Sequence, residues 1–224
     1  MKCVIFDMDG TLINSESIYY SVWSELVEQE NYALSKKFYK NILGCPTDQI
    51  QELFLNYFGS AFPFEKLFAS FMEKRNELIQ TGSFDLTAGV REFLDHCHSS
   101  NITCGIATSS HKEEALCLLE KMGIYNDFSF FSFGDEVTQG KPSPEIFELA
   151  VDRSGITKEQ TIVFEDSKNG LLAAHYANLP VFLVNDFISL EPNHEKLSTY
   201  SFKNFLQVME NLERLNIPAD SIQY

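Results

Sequence analysis

Asp7 and Asp9 flank Met8 directly after the apolar run Cys3-Val4-Ile5-Phe6, and Gly10 follows them. If that run is a β-strand, two acids at its carboxyl end project towards one crevice, where open α/β sheets bind their ligands. Gly10 then lets the chain turn away at positive φ without a steric cost. Asp-x-Asp-Gly also occurs in solvated turns and calcium loops, so alone it defines no reaction. Other strand ends add to it. The run from Ile102 to Ala107 ends in Thr108-Ser109-Ser110, which brings hydroxyls and backbone N–H donors, although Ser110 with Glu113 also suits a helix capping box. Gly140-Lys141-Pro142-Ser143-Pro144 sets one lysine among turn formers just before a helix, and the run from Thr161 to Phe164 ends in Glu165-Asp166-Ser167. An acid pair, a hydroxyl, a cation and a second acid pair therefore share one sheet edge. Such a set can hold a metal ion and reverse the local charge for a small anionic substrate.

The elements that must position these residues follow from periodicity. Runs at 3–6, 102–107, 161–164 and 180–184 suit buried parallel strands, with another expected within 128–133. Helical stripes lie between them: Val90, Phe93, Leu94 and Cys97; Ala115, Leu118, Leu119 and Met122; and Ile146, Phe147, Ala150 and Val151, opened by Ser143 and Pro144. Strand–helix alternation implies an α/β, doubly wound parallel sheet. Residues 15–84 break the alternation and carry helical stripes alone: Ile18, Val22 and Leu26; Ile50, Leu53, Phe54 and Tyr57; Phe64, Leu67, Phe68, Phe71 and Met72. The expected organisation is a discontinuous α/β core, 1–14 and 85–224, interrupted by an all-helical domain at 15–84. Phe205, Leu206, Met209 and Leu212 suggest a packed terminal helix.

Composition narrows the function classes. Lys plus Arg number 17 against 32 Asp plus Glu, a net charge of −15 in 224 residues. A field of that sign repels nucleic-acid backbones and anionic lipid, so neither is an expected partner. The five cysteines are scattered without a C-x-x-C, which argues against a disulfide framework and a structural zinc site. Asp7 comes too early for the apolar region of a signal peptide, and no apolar run approaches the ~20 residues that span a bilayer. A cytoplasmic monomer is expected.

In order, Asp7-Met8-Asp9-Gly10-Thr11, Thr108, Lys141 in Gly-Lys-Pro-Ser-Pro-Glu, and Glu165-Asp166-Ser167 with Asn169 and Gly170 resemble the four motifs of the haloacid dehalogenase (HAD) superfamily. The likeness is to its β-phosphoglucomutase-like phosphatase branch, which has a helical cap inserted after the first motif. The resemblance implies Mg²⁺-dependent hydrolysis of a small phosphorylated metabolite, most naturally a sugar phosphate. Asp7 would be the nucleophile that becomes an aspartyl-phosphate, and Asp9 the general acid and base. Asp7, the Asp9 carbonyl and Asp166 would hold the metal, with Glu165 a further ligand. Thr108, Ser109 and Lys141 would bind the phosphoryl group. The physics agrees: a dianion nearing a carboxylate at ~4 Å meets a repulsion of roughly 4 kcal/mol at an effective dielectric of 20, which a metal and a lysine can cancel.

A phosphosugar mutase is the nearest rival, and a phospho-accepting signalling module a more distant one. Dehalogenation needs no proton from Asp9. Gly140-Lys141-Pro142 is not a P-loop, and the histidines form no H-E-x-x-H; His96 and His98 suit a helix end. Where relatives carry a histidine after the first motif this chain has Tyr19, and Gly44-Cys45-Pro46-Thr47 lacks the arginine of the mutase's sugar-phosphate grip. Arg75 could replace some of that charge, but surface solvation is its expected role.

Overall fold

The computed structural model describes residues 1–43, 45, 47–185, 190, 192–215 and 217. The chain runs β1 (Cys3–Phe6), α1 (Ser15–Gln29), α2 (Lys36–Tyr39), α3 (Thr47–Phe58), α4 (Phe64–Thr81), α5 (Val90–Ser99), β2 (Thr103–Ala107), α6 (Lys112–Lys121) and β3 (Phe130–Ser132). It continues through α7 (Glu145–Ser154), β4 (Thr161–Glu165), α8 (Lys168–Tyr176), β5 (Val181–Val184), α9 (Pro192–Glu195), β6 (Tyr200–Phe202) and α10 (Phe205–Met209).

All six strands are parallel, in the order β3-β2-β1-β4-β5-β6. Side chains alternate across each strand, so Val4 and Phe6 face one core while Cys3 and Ile5 face the other. The first core takes α5, α6 and α10, and the second takes α7 and α8. Helices on both faces explain why these strands read as unbroken apolar runs. Phe6 anchors the first core, with ring centroids 5.6–6.0 Å from Phe93, Phe128, Phe164 and Phe205. Among the described residues no helix is long and apolar enough to cross a membrane.

Helices α1–α4 stand between β1 and α5. The chain leaves the sheet and returns side by side: Asn14 N–H donates to Asp85 O and Thr87 N–H to Leu12 O, at 2.9 and 2.8 Å. Trp23 is the hub of this layer, stacked 4.7 Å from Phe71 and tilted 4.8 Å from Phe54. Here the expected stripes need correction. In α1 the buried residues are Ser15, Tyr19, Trp23, Leu26 and Val27, while Ile18 and Val22 are half-buried. Tyr57 is exposed and stacks its ring on Phe38. At the far end α10 buries Phe205 and Val208 and leaves Leu206 exposed. The edge strand β6 was not expected, since two half-buried aromatic residues around an exposed serine make no apolar run.

Candidate active site

Strand register builds the site. Phe6 is level with Ile106 on one side and Phe164 on the other, so Asp7, Ala107 and Glu165 come next in line. They stand at carboxyl ends on either side of β1, where the strand order changes direction and doubly wound sheets open a crevice. Lys141, from the loop before α7, fills that line. Its Nζ lies 2.5 Å from Asp7 Oδ1, 2.7 Å from Glu165 Oε1 and 3.1 Å from the Ala107 carbonyl oxygen. All three ammonium hydrogens therefore have acceptors. Burial alone would lower the Lys141 pKa, but Asp7 and Glu165 more than reverse this and hold it charged.

Glu165 is fully buried. Its other oxygen, Oε2, accepts the backbone N–H groups of Asp166 and Ser167 at 2.8 Å each, and the Ser167 hydroxyl at 3.1 Å. Gly170 on the first turn of α8 packs against this carboxylate, where a Cβ would collide with it. Glu165 is thus locked as the support of Lys141. Ser167 also caps α8 by accepting from Gly170 N–H at 3.0 Å.

Asp9 sits across the cavity. Gly10, at φ +82°, turns the chain, and a side chain there would strike the Asp166 carboxylate. Asp9 Oδ2 accepts the Ser110 hydroxyl at 2.8 Å. That corrects the capping reading of Ser110: α6 starts at Lys112 after His111, with no side-chain cap. Helix α7 likewise starts one residue later than expected, behind Pro144. Thr108 is buried, and its Oγ1 accepts Ser110 N–H at 3.0 Å, while Ser109 stands at the cavity rim.

A cavity of about 80 Å³ joins these groups; its lining includes Asp7, Asp9, Thr108, Ser109, Lys141, Glu165 and Asp166, with Glu16 and Leu43. Every candidate residue read from the sequence reaches it. Glu16 belongs to the Asn14-Ser15-Glu16 stretch after the first motif, to which the sequence assigned no role. It comes from the first turn of α1, and Tyr39 donates to it at 2.9 Å. Burial pushes the Glu16 carboxyl up to about 7. Asn185, also unforeseen, donates from Nδ2 to the Asp166 carbonyl at 2.8 Å. Both are ordinary polar residues in sequence, so position alone marks them.

Arg75 departs most from expectation. Its side chain is 15% exposed and pairs with Glu114 of α6 at 2.9 Å, with the guanidinium 5.7 Å from the Tyr19 ring centroid. It is a half-buried tie between layers, not a solvated surface group. Thr47 is exposed at the start of α3, and the neighbouring Gly44 and Pro46 lie outside the described residues.

The donor set fits a hard cation. Asp7, Glu165 and Asp166 offer oxygens within 4.8 Å of one another. Burial raises the Asp7 and Asp166 carboxyls above their ordinary range, and Glu165 adds to both; Lys141 opposes but does not cancel this. A cluster of buried acids with one ammonium is short of positive charge, and oxygen ligands suit a divalent ion.

The chain belongs to the haloacid dehalogenase-like hydrolases, whose family pattern matches residues 4–184. A phosphorylated carbohydrates phosphatase of Thermotoga maritima is 31% identical over 179 residues, covering 80% of this chain and 82% of that one. A β-phosphoglucomutase of Bacillus subtilis is 25% identical over 187 residues, with coverage of 80% and 81%. The solved structure of a HAD family hydrolase from Deinococcus radiodurans, with bound phosphate and sodium, superposes at a TM-score of 0.82 over 97% of each chain. At 20% identity that likeness is one of fold. Within the family this chain is a phosphatase-type hydrolase.

Proposed function

We propose that the protein hydrolyses a small phosphorylated metabolite, a sugar phosphate, by way of an aspartyl-phosphate on Asp7. The observation that carries this reading is the pairing of Asp7 with Lys141 at 2.5 Å in a buried line whose other members are already fixed. Lys141 Nζ holds Asp7 Oδ1, which aims the second carboxylate oxygen at the phosphorus and neutralises part of the charge that gathers there. Asp7 attacks, the bond from phosphorus to the leaving oxygen breaks, and Asp9 delivers a proton to that oxygen. Asp9 then takes a proton from the water that cleaves the acyl phosphate. The Thr108 hydroxyl and the Ser109 backbone and hydroxyl donate to the phosphoryl oxygens. Mg²⁺ would be held by Asp7, the Asp9 carbonyl and Asp166, with Glu165 as a further ligand, and would cancel the repulsion between dianion and carboxylates. Residues 15–84 act as a cap over the site.

Two features favour a sugar phosphate. The phosphorylated carbohydrates phosphatase is the 31% identical relative. Beyond Leu43 and Asn169, which border both, a second cavity of about 300 Å³ sets Lys40, Asn41, Gln49 and Lys168 beside Leu53 and Leu190. Hydrolysis is favoured over mutase chemistry because Tyr19 stands where the resemblance places the histidine of the mutase's acid–base gate, and Thr47 is neutral where its sugar-phosphate grip has an arginine. The test is a panel of phosphorylated metabolites with Mg²⁺. Phosphate should be released in step with substrate loss, and Asp7→Asn should abolish release while keeping the circular dichroism spectrum. Near-native turnover by that variant, or conversion of β-glucose 1-phosphate to glucose 6-phosphate faster than phosphate release, would overturn the reading.

A further inference from the structure

We propose that Ser110 is a positioning residue for Asp9, holding one carboxylate oxygen and so fixing the orientation from which Asp9 protonates the leaving group. This rests on the hydrolytic reading above, with Asp9 as the acid. The Ser110 hydroxyl donates to Asp9 Oδ2 at 2.8 Å. Among the described residues, Asp9 Oδ1 is buried and meets no hydrogen-bond donor or acceptor. A buried carboxylate oxygen left unpaired is costly, and such atoms mark strained or functional positions. Anchored at Oδ2, the carboxyl group has its rotation fixed.

Ser110 can do this because its own backbone is held at both ends. Its N–H donates to Thr108 Oγ1 at 3.0 Å, and its carbonyl accepts from Gly134 N–H at 3.0 Å. Gly134 is required for that approach, since a Cβ there would collide with the Ser109 carbonyl oxygen. Thr108 Oγ1 accepts from Ser110 and so keeps its own hydroxyl hydrogen for a phosphoryl oxygen. One short turn after β2 thus fixes both the group that grips the phosphoryl oxygens and the group that protonates the leaving oxygen. Separation of the two by a loop shift would cost rate, because proton transfer demands a near-attack geometry.

In the step concerned, an Asp7 oxygen forms the new bond to phosphorus and the bond to the leaving oxygen breaks. The electron pair stays on that oxygen, which takes the proton from Asp9. A nitrophenolate leaves at neutral pH without a proton, whereas a phenolate gains from one. The experiment compares kcat/KM for p-nitrophenyl phosphate and phenyl phosphate in wild type, Ser110→Ala and Ser110→Thr. The ratio kcat/KM reports events up to formation of the phospho-enzyme and so excludes the later hydrolysis. Ser110→Ala should lose about tenfold on phenyl phosphate, a part of the 10²–10⁴ available to general acid catalysis. On p-nitrophenyl phosphate its loss should be less than about twofold, because little of that contribution is needed there. Ser110→Thr, which keeps the hydroxyl, should recover the phenyl ester. If Ser110→Ala loses its circular dichroism spectrum, Ser110→Cys, a weak donor of similar size, takes its place. Equal losses on both esters, or none on phenyl phosphate, would overturn the positioning role and leave the hydrolytic reading intact. Failure of the wild type on both esters and on the whole panel of phosphorylated metabolites would overturn the hydrolytic reading, and the positioning role with it.

Discussion

Arg75 of the inserted helices and Glu114 of the α/β core are joined by an ion pair of 2.9 Å, with side chains 15% and 30% exposed. The pair ties α4 to α6, which also pack against each other. Burial would lower the Arg75 pKa, but Tyr19, Asp9 and Glu114 hold it raised. The Arg75 guanidinium thereby links the helical layer to the wall around Asp9.

If that tie holds the layer in place, Arg75→Ala should lower the thermal midpoint and raise KM more than it lowers kcat. The coupling in a double-mutant cycle with Glu114→Ala should be about 1 kcal/mol, the upper end for partly exposed pairs. A 1 kcal/mol loss corresponds to about 2–4 °C in a chain of this size. Additive single and double variants would show that the pair carries nothing.

Metal binding and proton transfer should separate in two neutral variants. Asp166→Asn removes an anionic ligand and should raise the Mg²⁺ concentration for half-maximal activity by about tenfold or more, a change of 1.4 kcal/mol per factor of ten. Asp9→Asn leaves its backbone carbonyl in place, so Mg²⁺ should still raise the thermal midpoint as in wild type. Its kcat should fall by about 10²–10⁴. Equal loss of the Mg²⁺ response in both variants would reverse the assigned roles.

The strand ends were legible because buried parallel strands are unbroken apolar runs, and an acid directly after one stands out: Asp7 after Phe6, and Glu165 and Asp166 after Phe164. Lys141 was legible as a lone cation among turn formers, but its three acceptors come from three separate strand ends. The partner of Ser110 was not legible, because a hydroxyl before a helix suits a cap equally well and Asp9 is 101 residues away. In α1 two apolar stripes lie side by side, and only the aromatic packing of Trp23 on Phe54 and Phe71 decides which is buried. Arg75 looked like any surface arginine, since its partner lies on another element.

The acid cluster also sets a pH dependence for the metal-free protein. Burial raises Glu16 to about 7 and lifts Asp7 and Asp166 above the ordinary carboxylate range. Below those raised values and above the ordinary one near 4, the folded chain binds protons that the unfolded chain does not. Stability then falls as pH rises, because the slope follows the protons bound by the unfolded minus the folded state. The opposite contribution from Glu136, held low by Arg153, is lost only as pH drops below the ordinary carboxylate value and lies outside this window. With chelator present, the thermal midpoint should therefore be higher at pH 6 than at pH 8. Mg²⁺ competes with these protons, so it should raise the midpoint more at pH 8 than at pH 6 and flatten the trend. Asp166→Asn removes one of the charges and should weaken both effects. Scanning calorimetry at the two pH values, with and without Mg²⁺, measures them directly. A chelated protein whose midpoint rises from pH 6 to pH 8, or a Mg²⁺ response of equal size at both, would show that this cluster is not short of positive charge.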